Sequence, residues 1–182
     1  MIRIKTFLAL LCFALPSFAT AKADISVYFT PSEDCKKNII QHIEQAENSI
    51  DIAIFSFTDR NIANSLQKAA AKGINIRLLT DKEQSDFHNS VIHNLIKKGI
   101  NVRYNVTQKQ EHNKFAVFDN KIVSTGSFNW TYRASYYNSE NCLFIDKEAK
   151  VADKYKIRFN QLWAKAETAA EKKRKDKRER LK

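Results

Sequence analysis

The sequence predicts an α/β fold: a mixed, largely parallel β-sheet with helices packed on both of its faces. Three observations carry that expectation. The hydrophobic period switches repeatedly between two residues and about 3.6. Two helix-like stretches end at a glycine, Gly73 and Gly99, and each is followed at once by a strand-like run. A chain of 182 residues, 43% of them hydrophobic, can bury one domain-sized core but not two of ordinary size.

Residues 25–29 read as a short strand closed by Thr30-Pro31. Ser32 can cap a helix running to about residue 47, with Ile39, Ile40 and Ile43 on its buried face. Ile50, Ile52 and Ile54 then alternate with Asp51, Ala53 and Phe55 in a buried strand. A helix over about 60–72 stops at Gly73, which suits the left-handed position after a helix. The next strand covers 74–79.

The rhythm repeats with a helix over about 86–98, carrying Val91, Ile92, Leu95 and Ile96 inward, and a strand at 101–104. Strands joined through helices pair in parallel, because a parallel partner needs a crossover of a dozen residues or more. Residues 115–119 and 122–124 form a hairpin turning at Asp119-Asn120-Lys121, and 140–145 form a further strand. The last helix begins near residue 147. Its Val151, Tyr155, Phe159, Leu162 and Trp163 fall at three- and four-residue spacing and are expected to anchor the core rather than stack on bases.

The two ends differ in character. Arg3 and Lys5, an apolar run over 7–15, Pro16-Ser17 and the small-x-small sites at 19–21 and 21–23 have the layout of a secretory signal peptide. Residues 1–23 are therefore expected to be a cleaved signal, and the protein to be exported to the periplasm or beyond. Its removal takes Arg3, Lys5 and Lys22 and leaves +8 of the formal +11 charge. That balance suits a polyanionic partner, since each neutralised phosphate releases counterions. Beyond about residue 165 the apolar face disappears. Residues 166–182, with Lys172-Lys173-Arg174-Lys175, are expected to be a solvated helix extension or a disordered basic tail. Cys35 and Cys142 permit a disulfide that spacing alone does not establish, and two small buried apolar residues are expected instead.

The chemistry lies in one segment. It reads His112-x-Lys114, four residues, Asp119, six residues, Gly126-Ser127-x-Asn129. On a strand, residues 112 and 114 project from one face, about 6–7 Å apart. An imidazole and an ammonium so placed can address one phosphodiester, the first attacking phosphorus and the second holding a non-bridging oxygen. Ser127 and Asn129 add a hydroxyl and an amide as donors toward the charge of a pentacovalent transition state, and Gly126 permits close backbone approach. His42, His88 and His93 sit on helical stretches without such surroundings and are expected to be structural or surface residues.

This segment resembles the signature of the phospholipase D superfamily. Phe29-Thr30-Pro31, the stretch 54–58 and Tyr137-Asn138-Ser139-Glu140-Asn141 are similar to its small bacterial endonucleases. The resemblance covers most of residues 24–165, the expected catalytic domain, and implies a phospholipase D-like α-β-α sandwich. It implies that His112 is the nucleophile of a ping-pong phosphohistidine mechanism, that Lys114, Ser127 and Asn129 bind the phosphate, and that Glu140 orients the imidazole. It gives Asp119 and Gly126 a supporting role.

The chain carries one copy of the motif, whereas the mechanism uses two histidines, so a homodimer with a composite site is expected. The sequence carries no HExxH, no EF-hand loop and no grouped aspartates, and neither metal nor cofactor is expected. The leading reading is a nuclease acting on DNA and/or RNA. The alternative is a phospholipase D acting on lipid head groups, for which the sequence offers no amphipathic membrane face. A binder that coats nucleic acid through its tail is a third class, opposed by the intact motif.

Overall fold

The computed structural model describes residues 23–179 and 181 of the chain. The expected signal segment, all but its last residue, lies outside the described residues. The elements run β1 (Asp24–Phe29), α1 (Asp34–Gln45), β2 (Ser49–Ile54), α2 (Arg60–Ala71), β3 (Asn75–Thr80), α3 (Lys82–Ser85), α4 (Ile92–Lys97) and β4 (Asn101–Tyr104). They continue as β5 (Lys114–Phe118), β6 (Ile122–Gly126), α5 (Tyr132–Tyr136), β7 (Asn141–Asp146), α6 (Ala149–Lys165), β8 (Glu167–Thr168) and α7 (Ala169–Glu179).

All eight strands form one sheet in the order β1-β7-β6-β5-β2-β3-β4-β8. It is mixed, as expected, but not largely parallel. Parallel pairing is confined to β2–β3–β4, where helices make the crossovers. The other ladders are antiparallel, because β5, β6 and β7 are joined by a tight turn and one short helical connection, and β1 and β8 close the two edges. Strand periodicity is the same in either pairing, which is why the proportion escaped the sequence.

Helices cover both faces. On one side α1, α2 and α4 place Ile39, Ile43, Ile62, Leu66 and Leu95 against Ile50, Ile52, Ile54 and Leu78. On the other, Phe159, Leu162 and Trp163 of α6 pack on Ala53, Leu79, Phe115, Val117 and Val123. Each large side chain buried this way stabilises the fold by about 1.5–3 kcal/mol, and β2 is buried on both faces because it lies between the two layers. Asp51 of β2 is the polar exception. It is bound by Arg77 through Nε at 2.7 Å and Nη2 at 2.6 Å, and that guanidinium lies over the Phe159 ring at 4.8 Å.

Several local expectations shift by a few residues. α1 starts two residues after Ser32, whose hydroxyl accepts from Asp34 N at 3.0 Å just ahead of it. The helix expected over 86–98 is confined to α4, and a separate short helix, α3, capped by the Asp81 carboxylate on Gln84 N, precedes it. The backbone between them is diverted, with Val91 N donating to Phe57 O at 3.1 Å. Cys35 and Cys142 form a disulfide that ties α1 to β7 across 107 residues, in place of the two free buried thiols expected. The last segment does not leave the body at residue 165. β8 adds to β4, and α7 returns with Lys172 buried, its Nζ donating to both Asp86 carboxylate oxygens at 2.7 and 2.8 Å.

Candidate active site

The antiparallel ladders decide where the motif residues meet. β5 runs against β2, β6 against β5 and β7 against β6. The end of β2, the start of β5, the end of β6 and the start of β7 therefore lie along one rim of the sheet. His112 precedes β5, Lys114 opens it, Gly126 closes β6, and Glu140 precedes β7. Phe29 and Thr30 reach the same rim, since Phe29 pairs with Asn141. Residues 112–114 and 126–140 are brought together with 29–30 and 55–56, which no local pattern could have joined.

His112 is exposed, in an extended stretch just before β5. Phe55 N donates to Asn113 O at 3.0 Å, which continues the β2–β5 pairing past Ile54↔Lys114. The imidazole packs on Phe55, ring centroids 4.6 Å apart. Lys114 Nζ lies 5.1 Å over the same ring and donates to His112 O at 2.6 Å. Burial holds the Lys114 pKa below the ordinary lysine value, an effect opposed by the negative charges of Glu140 and Glu111.

The turn after β6 is built by Gly126. At φ +144° it occupies backbone space closed to other residues, and an added Cβ would fall 2.3 Å from Asn141 O. That close approach lets Ser127 N donate to Asn141 O at 3.1 Å. Ser127 Oγ in turn accepts from Asn141 N at 3.1 Å and Nδ2 at 3.4 Å, so its lone pairs serve β7 and its proton is what it can offer a phosphate. Asn129 Oδ1 accepts from Ser56 N at 3.2 Å, which commits the carbonyl end of the amide and leaves Nδ2 as the donor end. The neighbouring Trp130 bridges to Phe57 and accepts from Thr58 N and Asp59 N, holding this turn against the end of β2.

Glu140 sits at the rim with its Oε1 accepting from Asn138 Nδ2 at 2.9 Å. Its backbone is clamped by Thr30, which gives its N–H to Glu140 O at 3.0 Å and takes Glu140 N on Oγ1 at 2.8 Å. Asp119 lies at the far end of β5. It and Asn120 take φ of +51° and +57° in a two-residue turn, and its carboxylate accepts from Glu47 N, Asn48 N and Ser49 N at 2.7–2.9 Å. Partial burial alone would raise that carboxyl, but the three amides hold it below its ordinary value. Its structural place at the start of β2 is thus visible in its bonds.

Sequence reasoning gave no role to Phe55 or Glu111. Glu111 is buried beside the motif, its Oε1 accepting from Asn113 Nδ2 at 2.6 Å and its N–H donating to Asp81 at 3.1 Å. Burial pushes its carboxyl up, against the Asn113 bonds that would lower it. A charged residue at an apolar strand's mouth was the one signal available. Among the described residues, no three or more His, Cys, Asp or Glu side chains group to hold a metal ion.

The rim therefore presents an imidazole on an aromatic bed, an ammonium, a hydroxyl and an amide donor within one backbone frame. A family model described as "Cardiolipin synthase, PLD-like domain" matches residues 39–163. "Phospholipase D" of Rickettsia prowazekii (strain Madrid E) is 34% identical over 135 residues, covering 74% of this chain and 65% of that protein. "Mitochondrial cardiolipin hydrolase" of Xenopus tropicalis is 31% identical over 126 residues, covering 69% and 60%. The chain thus spans a little under two thirds of the length of these relatives. Solved structures that match its fold include two small proteins of this kind. Nuc from Salmonella typhimurium, a phospholipase D family member, superposes with TM-score 0.77 and 26% identity, over 81% of this chain and 98% of that one. NucT from Helicobacter pylori does so with TM-score 0.74 and 28% identity, over 81% and 99%. Motif, rim geometry and family model agree, and the chain belongs to the phospholipase D superfamily.

Proposed function

We propose that the chain is an exported, metal-independent endonuclease that cleaves DNA and/or RNA through a phosphohistidine intermediate at a composite homodimer site. The observation that carries this is the joint placement of His112, Lys114 and Asn129 on one rim, in a chain with a single copy of the motif. The neutral imidazole attacks phosphorus and the bond to the leaving oxygen breaks. The His112 of a second copy gives that oxygen its proton, then takes one from the water that releases the phosphohistidine. Lys114 and the Asn129 Nδ2 hold the non-bridging oxygens as charge develops, and Ser127 adds its hydroxyl. Glu140, clamped by Thr30 at the rim, is the acceptor we assign to the far ring nitrogen.

Export agrees with the signal-like start and with the Cys35–Cys142 disulfide, since such bonds persist in oxidising compartments. The nuclease arm is supported by the likeness to Nuc and NucT and by the net positive charge. A second reading, hydrolysis of phospholipid head groups, has its own support. The curated relatives carry lipid-directed names, and β1 exposes Ile25, Val27 and Phe29 along one face.

The test compares the mature protein with His112→Ala, in EDTA, on labelled DNA, RNA and phosphatidylcholine vesicles. Histidine-dependent cleavage of nucleic acid is the expected result. Choline release without nucleic-acid cleavage selects the lipid reading, and complete loss of activity in EDTA rejects the metal-free mechanism. A strictly monomeric protein by sedimentation, fully active, rejects the composite site.

A further inference from the structure

A groove leads away from the reacting rim across ground that the phosphodiester chemistry itself does not use. It consists of two open cavities, about 280 and 390 Å³, whose walls share Asn89. The nearer starts at Phe55 and Asn129 and carries Phe87 and Arg133. The farther continues past His88 to Arg60 at the start of α2. Their walls hold two arginines and not one carboxylate, in a protein with 20 acidic residues. The rest is mostly amide and hydroxyl, among them Ser56, Gln84 and Asn138.

Phe87 is the unusual wall. It lies between α3 and α4, is 54% exposed, and packs into neither core layer. An aromatic face held at the mouth of a cation-lined, amide-rich groove fits a stacked base beside a phosphate backbone. An acyl chain would require a continuous apolar wall, and the farther cavity offers only Ala63 and Val91. We propose that this groove is the subsite for the single-stranded polynucleotide flanking the scissile phosphodiester, with a base stacked on Phe87 and phosphates facing Arg133 and, further out, Arg60.

The proposal rests on the nuclease reading and deepens it: the substrate at the rim is a nucleic-acid strand in single-stranded form, read by stacking and charge rather than by base sequence. The test uses the full mature chain and two substrates, a single-stranded dodecamer and the small diester bis(p-nitrophenyl) phosphate. Phe87→Ala is expected to raise KM for the dodecamer about tenfold with kcat within about twofold. The ratio of kcat/KM on the dodecamer to that on the small diester falls by the same factor, and Phe87→Trp restores it. Arg133→Gln is expected to reduce the slope of log KM against log salt by about one.

If wild type cleaves the dodecamer while Phe87→Ala and Arg133→Gln match it, the subsite is overturned and the nuclease reading stands. Equal losses on both substrates assign Phe87 a structural role and also overturn the subsite. A wild type that hydrolyses phosphatidylcholine vesicles and leaves the dodecamer intact overturns the nuclease reading and the subsite together.

Discussion

The imidazole of His112 rests on the ring of Phe55, centroids 4.6 Å apart and planes inclined at 53°. The two residues come from the ends of neighbouring antiparallel strands, 57 positions apart in the chain. An exposed histidine would otherwise sample several rotamers, and an attacking group displaced by about 1 Å can lose two orders of magnitude in rate. Phe55→Ala is expected to lower kcat on a small diester about tenfold or more, with little change in unfolding midpoint, whereas Phe55→Tyr retains most of it. Steady-state kinetics beside urea unfolding separates the two effects.

Asp119 lies at the other end of β5 from that pair. Its folded pKa is depressed by three backbone amides, so its contribution to stability is present above the ordinary carboxylate range and is lost as pH falls through the folded value. Asp119→Ala is expected to cost about 1–2 kcal/mol at pH 7, by removing three charge-assisted hydrogen bonds, two of them to exposed amides that water can satisfy. The gap between variant and wild type should close as the solution is acidified below that range. Urea unfolding at stepped pH measures it, and a gap that persists unchanged in acid contradicts the assignment.

Gly126 is the least replaceable residue of the rim. Alanine there meets both the strained φ and the Asn141 carbonyl. Gly126→Ala is expected to destabilise the protein by roughly 2–4 kcal/mol. It also moves Ser127 and Asn129 off their partners, so activity falls further than the loss of folded protein accounts for.

The Cys35–Cys142 bond closes a loop of 107 residues. By chain entropy a loop of that length is stabilised by about 4–5 kcal/mol. Reduction with dithiothreitol is expected to lower the denaturant midpoint accordingly, and Cys35→Ala with Cys142→Ala should reproduce the reduced protein's curve. A midpoint indifferent to reductant contradicts the bond.

Lys172 fastens the last helix to the body through Asp86, over the Tyr104 ring at 5.2 Å. Asp86 is half exposed, so the tie contributes about 1–2 kcal/mol rather than the larger figure of a fully buried pair. Lys172→Ala is expected to speed tryptic cleavage within α7 several-fold, while a substitution at the exposed Lys173 leaves it near wild type.

The motif was legible because its spacing is local. The strand period places residues 112 and 114 on one face, and a Gly-Ser-x-Asn after a short hairpin can only form a turn. The burial of Ile50, Ile52 and Ile54, and of Phe159 and Leu162, was legible for the same reason: period and apolar stripe follow from covalent geometry. The Asp119 turn also followed from residue type, since Asp and Asn tolerate positive φ. Phe55 and Glu111 were not legible, because an aromatic and an acid next to strands have many uses until their neighbours are known.

By itself, the sequence determined the class of elements, the core faces and the spacing of the motif over residues 112–129. Only the tertiary structure decided that most ladders are antiparallel, that Cys35 meets Cys142, that the basic tail docks through Lys172, and that Phe55 supports His112. Each of those is a contact between segments tens of residues apart. Hydrophobic periodicity specifies which side of an element is buried, but its partner is chosen by the packing of the whole chain.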